Sequence, residues 1–258
     1  MPAGRSGLAV RGETAWEAQP VSARFLARTK PPQGLVVLLG VDEGDKMVWV
    51  DLHSPRSAHV LVTGGEAPAR SGLLRTSMIS LSLRSAPSQV QIAGVDATGR
   101  ELRVLEALPH ALAPLAERPQ EATELLAWLA DESRRRLLRS YQRPEIVVFI
   151  DGVGEGLLQD ARFAGRLEDV LRLGPLCGVH VVATSVGAAT GIPWAARTCV
   201  VEAVPSAGPG RFGLRGSDGG RIMVRPMDLG VRDLDEAVRW IRGERGGHQR
   251  TRIGTQAV

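Results

Sequence analysis

The 258-residue chain has almost no lysine: Lys30 and Lys46 are the only two, and arginine supplies the rest of its 32 basic residues. Any chemistry that needs a lysine after position 46 is therefore excluded. Cysteine is scarce too, with Cys177 and Cys199 both set in apolar segments. Two isolated thiols make neither a disulfide framework nor a cysteine metal site, and they read as reduced core residues. Aromatic residues make up 4% of the chain, so aliphatic side chains must build the core. No apolar run reaches the roughly 18 residues that a membrane-spanning helix needs. The N-terminal MPAGRSGLAVRGETAWE lacks the apolar centre of a signal peptide. These absences predict a cytoplasmic protein without a membrane segment.

What is present fits a globular chain of that kind: 43% hydrophobic and 23% charged residues. The length suits one large domain. A net charge of +4 and a pI near 9.8 permit contact with nucleic acid or anionic lipid without requiring either. There is no internal repeat and no low-complexity segment.

Residues 1–34, polar and ending in KPPQG, read as an arm or linker, 35–246 as the folded domain and 247–258 as a flexible tail. LVVLLGVDEGDKMVWVDL (35–52) reads as a β-hairpin about a D-E-G-D turn. SAHVLVTG and GVHVVATS read as buried strands, EIVVFID as a near-continuous apolar strand, QVQIAGVD and RTCVVEAV as further strands, and GRIMVRP as an edge strand. Helices are expected after Arg70, from Pro119 to Arg139, near 162–173 and over 233–243. Leu125, Leu126, Leu129 and Leu137 supply the second helix with a buried stripe. Asp233 and Glu236 offer the last a capping box, with Gly243 ending it. Apolar strands alternating with helices predict an α/β fold, mainly a parallel sheet with helices on both faces. Ligands of such sheets bind beyond the carboxyl ends of the strands.

One such end carries VTGGEAPARSGLLRT (62–76). Gly64, Gly65, Glu66, Ala67, Pro68, Ala69, Arg70 and Ser71 align with the phosphate-loop pattern G-x-x-x-x-G-K-[ST], between a strand and a helix. The hydroxyl is there, but four residues depart from the pattern. Ala69 adds a Cβ where backbone must approach phosphate. Pro68 removes an N–H donor. Glu66 brings a negative charge, and planar Arg70 stands where lysine belongs. A bare strand–turn–helix corner is the other reading. In IVVFIDGVGE, Asp151 closes an apolar strand, where an aspartate can hold magnesium together with the Ser71 hydroxyl. The glutamate expected next is Gly152; Glu155 lies nearby, from a different backbone position. A surface-turn aspartate is the plain alternative.

In order, SAHVLVTGG, VDATGREL, LPHALAPLAERPQEATELLAWLADESRRR, IVVFIDGV, GVHVVATS, IPWAARTCVVEAV and RFGLRGSDGGRIMVRP resemble the motor domain of the FtsK/SpoIIIE family of DNA translocases, over about 34–243. The resemblance implies a RecA-like P-loop NTPase fold. It places Gly64, Arg70, Ser71 and Thr184 at the nucleotide, with Gly65 and Ala69 beside them in the loop, Ser71 and Asp151 at magnesium, and Asp151 and Arg197 in catalysis; the nearby Glu155 is the residue that could stand in for the missing glutamate. Arg197 matches an arginine that reaches a neighbouring subunit's nucleotide; a surface arginine is the alternative. His110 matches a structural position and reads as a packed loop residue. Arg134, Arg135 and Arg136 read as a solvated helix end, with phosphate contact as the alternative. A working site would use ATP and Mg2+; with lysine and glutamate missing, no cofactor at all is the other expectation.

Three functions follow. The first is a hydrolysis-impaired structural or regulatory subunit, in a homo- or hetero-hexamer with an active family member. The second is an active translocase on double-stranded DNA, distinguished by DNA-stimulated ATP turnover. The third is an ATPase-like module of an EccC-type (type VII) secretion system, which would bind a peptide.

Overall fold

Strand β4 (His59–Thr63) lies inside a seven-stranded sheet of the computed structural model. The structure describes residues 19–97, 102–140, 143–154, 156–187, 198–208, 210–215 and 220–243. Around β4 lie β5 (Val90–Asp96), β6 (Glu145–Asp151), β7 (Val179–Ser185), β8 (Thr198–Ala203), β9 (Phe212–Arg215) and β10 (Arg221–Val224). The sheet order is β10-β9-β8-β4-β7-β6-β5. The five strands from β8 to β5 run parallel; β9 pairs antiparallel with β8 and β10 antiparallel with β9, and β10 forms the edge expected for GRIMVRP.

Alternation within the strands divides the core. Val60, Val62, Val147 and Phe149 face one cluster; Leu61, Ile146, Val148 and Ile150 face the other. Side chains alternate with a period of two, so a strand buried on both faces is apolar throughout. Against the first face pack α2 (Ala67–Ser82) and the hairpin of β2 (Val36–Val41) with β3 (Met47–Asp51). Against the second pack α3 (Pro119–Arg139) and α4 (Ala161–Leu173). The outer edge of β5 is covered by residues 110–116: Ile92 N–H donates to the His110 carbonyl and its own carbonyl takes the Leu112 N–H, while Ala116 donates to the Gly94 carbonyl and takes the Asp96 N–H. His110 is buried there and its Nε2–H donates to the Ser85 carbonyl at 2.7 Å. Burial lowers the His110 pKa, and that hydrogen bond opposes the shift in part.

Four details differ from the sequence reading. Residues 19–28, within the segment read as an arm, fold as β1 (Gln19–Val21) and α1 (Ala23–Arg28). β1 pairs with β11 (Met227–Leu229), and α1 packs on α5 (Val231–Ile241). Second, α5 starts from Gly230, so Asp233 sits inside its first turn and takes the Ala23 N–H at 3.4 Å in place of a capping box. Third, Leu137 is 37% exposed and Leu125 is half-buried; Ala122, Leu126, Leu129 and Ala130 form the apolar stripe of α3. Fourth, Arg136 is buried, which overturns the solvated reading for that residue. Its guanidinium bonds Glu132 at 2.9 Å and the carbonyls of Pro144 and Cys177 at 2.7 and 3.3 Å. A buried cation persists only when paired and hydrogen-bonded.

Gly40 shows how closely the hairpin meets the rest. Its φ is +150°, and an added Cβ would lie 2.1 Å from the Arg225 carbonyl oxygen. Neither the backbone angle nor the opposing backbone can yield cheaply. Gly40→Ala is expected to destabilise by about 2–3 kcal/mol, read as a lower denaturant midpoint with an unchanged slope.

Candidate functional site at the ends of the parallel strands

The chain leaves β4 at Thr63 and turns through Gly64 and Gly65, with φ of +71° and +68°. Two successive left-handed residues explain the glycine pair. The turn is anchored, since Gly64 N–H donates to the Ser185 carbonyl at 3.0 Å. It also packs closely: a Cβ on Gly65 would meet Ala203 Cβ at 3.2 Å and Phe212 Cζ at 3.3 Å. Helix α2 begins directly at Ala67, with Glu66 as its N-cap, no side-chain capping bond, and Pro68 in the first turn. The Arg70 N–H is already spent on the Glu66 carbonyl at 3.2 Å.

Arg70 is 3% exposed and turns back over the corner. Its Nη1 donates to the Gly65 carbonyl at 2.6 Å and the Gly64 carbonyl at 3.2 Å. Ser71, one residue on, points the other way and donates from Oγ to Asp151 Oδ2 at 2.6 Å. Thr184 Oγ1 donates to Asp151 Oδ1 at 2.5 Å and accepts the Gly152 N–H at 2.9 Å. Asp151, Ser71, Thr184 and Ser185 are all buried. The turn after β6 lies tight on β7: Val153 N–H reaches the Thr184 carbonyl at 2.8 Å, and a Cβ on Gly154 would strike Ser185 Oγ at 2.3 Å.

Gly64, Gly65, Ala69, Arg70, Ser71, Asp151 and Thr184 therefore gather at the carboxyl ends of β4, β6 and β7. Ser71 and Thr184 both bond Asp151; Ala69 is a buried residue in the first turn of α2. Glu155 and Arg197 lie outside the described residues. Asp96, which carried no site role in the sequence reading, stands beside Asp151 in the β5–β6 register. It is fully buried and takes the Leu102 N–H at 3.0 Å. Its signal in the sequence is the same as that of Asp151, an acid closing an apolar strand.

Chemically, the Ser71 hydroxyl and Asp151 carboxylate form an oxygen pair of the kind that supports magnesium. The corner at 64–70 is a different matter. Its cation faces the loop's own carbonyls, and the early start of α2 commits the amide at position 70 to helix. Such a corner does not fit a triphosphate, whose cradle needs several convergent backbone N–H groups and a free cation.

The two thiols lie away from this site. Burial pushes the Cys199 thiol up to about 12, and it raises that of Cys177 as well, against smaller opposing effects of Ser133 and Arg136. The thiolate is the reactive form. A disulfide reagent at pH 8 is therefore expected to label neither thiol quickly in the native chain, and to label both at once in denaturant.

A family model described as FtsK/SpoIIIE family matches residues 24–197. A DNA translocase FtsK of Mycobacterium tuberculosis is 32% identical over 120 residues, covering 46% of this chain and 14% of that protein. A DNA translocase FtsK of Leptospira interrogans is 33% identical over 107 residues, covering 42% of this chain and 11% of the relative. The chain thus spans well under a fifth of these relatives. The cytoplasmic domain of the type VII secretion ATPase EccC of Thermomonospora curvata superposes with a TM-score of 0.66 at 18% identity, over 82% of this chain and 28% of the other. The pCW3 conjugation coupling protein TcpA, solved as a monomer form with ATPγS, gives 0.67 at 17% identity, over 86% and 74%. At such identities the superpositions establish the fold. Among the described residues, no helix is long and apolar enough to cross a membrane.

Proposed function

The chain belongs to the FtsK/SpoIIIE family, whose model matches more than half of it, and from that premise we propose that it is a family member impaired in ATP hydrolysis. It serves as a structural or regulatory subunit beside an active motor, within a homo- or hetero-hexameric ring. The observation that carries this reading is the hydrogen bonding of Arg70 to the Gly64 and Gly65 carbonyls. A cation held there is not directed at a phosphate, and no lysine follows position 46 to replace it. Removing a transition-state electrostatic group costs on the order of 10²–10³ in turnover. The missing lysine and the Gly152 that stands in place of a glutamate are two such losses. Double-stranded DNA is the polymer this reading carries, from the DNA translocases that the chain resembles.

The test is ATP turnover of the purified chain, alone, with double-stranded DNA, and mixed with an active family member. The expected result is no turnover by the chain alone or with DNA, and a changed rate of the active partner in the mixture. DNA-stimulated turnover by the chain itself, lost in Asp151→Asn, would instead make it a working translocase.

A further inference from the structure

A second polar cluster lies at the opposite ends of the strands from the corner at 64–71. Glu145 is the first residue of β6 and His180 the second of β7. His53 follows β3, in the turn that leads to β4. One ligand atom from each lies within 4.8 Å of the others. His53 Nε2 is 2.9 Å from Glu145 Oε2, and His180 Nε2 is 3.7 Å from the same oxygen.

The hydrogen bonds fix which nitrogen of His180 is available. Its Nδ1 lies 2.9 Å from the Ala58 carbonyl, which can only accept, so Nδ1 carries the proton. In the neutral ring Nε2 is then a lone-pair donor. It is buried in a side chain 2% exposed, has no hydrogen-bond partner, and faces Glu145. An imidazole oriented by a carbonyl on its far nitrogen, with its other lone pair directed at a carboxylate and a second imidazole, is the arrangement seen around protein-bound zinc. His59, 6.4 Å away between ring centroids, is not part of it. Its Nδ1 takes the Val181 N–H at 3.0 Å, and its Nε2 donates to the Leu171 carbonyl at 2.9 Å.

We propose that His53, Glu145 and His180 form a binding site for a divalent transition metal, with zinc the best match. Two imidazoles and one carboxylate suit zinc better than magnesium or calcium, which take oxygen ligands. Zinc bonds of about 2.0–2.1 Å in a tetrahedron set ligand atoms about 3.3–3.4 Å apart, which the separations here bracket. The ligand nitrogens of the two imidazoles lie within 4.8 Å of each other, and the exposed side chain of His53 has room to close on His180 around an ion. Three protein ligands leave the fourth position to water on the solvent side of His53. The metal would tie the turn after β3 to the first residues of β6 and β7, joining the hairpin layer to the sheet. Arg143, 3.8 Å from Glu145 Oε1, leaves Oε2 to the metal.

The experiment uses the full, untagged chain, stripped with a chelator and titrated with zinc against a chromophoric competitor. One zinc per chain is expected, at a dissociation constant of about 1 µM or tighter, with a higher unfolding temperature in its presence. Cobalt in its place should give the intense visible bands of a tetrahedral ion. His53→Ala is the informative variant, since His53 is the exposed member of the three; affinity should fall at least tenfold. Glu145→Gln should do the same, while His248→Ala should bind as wild type does. No stoichiometric zinc below about 100 µM would overturn the proposal. So would zinc binding that His53→Ala and Glu145→Gln leave unchanged, which would mark an adventitious ion only. Nucleotide plays no part in any of these readouts.

Discussion

Labelled ATP with magnesium is expected not to saturate the wild-type chain up to about 1 mM, which corresponds to roughly 4 kcal/mol of binding. The triple variant Pro68→Gly, Ala69→Gly, Arg70→Lys is expected to bind at least tenfold more tightly. Each change addresses a separate obstacle. Glycine at 68 restores an amide and weakens the first turn of α2, which now begins at Ala67. Glycine at 69 removes a Cβ beside the phosphate path. Lysine at 70 replaces a planar group that bonds Gly64 and Gly65 with a compact cation able to reach an anion. Glu66 stays in place and limits the gain, since like charges about 4 Å apart repel by roughly 4 kcal/mol at an effective dielectric of 20. Micromolar binding by the wild type would refute the proposal that the site is impaired.

Replacing Asp151 with alanine is expected to destabilise the chain by about 3–5 kcal/mol, lowering the melting temperature by roughly 10 °C for a domain of this size. The buried carboxylate takes the Ser71 and Thr184 hydroxyls, at 2.6 and 2.5 Å, and so pins α2 and β7 to the end of β6. Hydrogen bonds to charged groups contribute about 1.5–3 kcal/mol each, and alanine leaves both hydroxyls without this acceptor. Asparagine should cost less, because its carbonyl still accepts one of the two. Thermal denaturation without nucleotide or metal separates the possibilities. A carboxylate kept only for magnesium would cost nothing when replaced, and its loss commonly stabilises an enzyme. An unchanged or raised midpoint in Asp151→Ala would exclude the structural role.

The strands were legible because their signal is local. HVLVT, VQIAGVD, EIVVFID and VHVVATS are each buried along nearly their whole length, and a short continuous apolar run between turn residues is readable without a partner. Helix α3 was legible in its limits, set by Pro119 and the basic run, but not in its buried face. Leu137 reads as core by type, yet Arg136 takes the interior because Glu132 and two carbonyls are there to receive it. The short β1 carries no apolar periodicity; its pairing with β11 joins residues more than 200 positions apart. At the candidate site, the residue types and their order were readable. The direction in which Arg70 turns was not, since it depends on where α2 begins.

The sequence by itself determined the class of the fold, through its apolar strands in alternation with helices, and the chemical content of the corner: no lysine, a proline, an acid. Tertiary structure alone decided which polar groups meet. Ser71 finds Asp151 80 positions away, and His53 finds Glu145 92 positions away. Burying an apolar side chain needs only an interior, so its pattern is written along the chain. Burying a polar one needs a particular partner at about 3 Å with the right lone pair or proton, and that requirement is met only when distant strands are laid side by side.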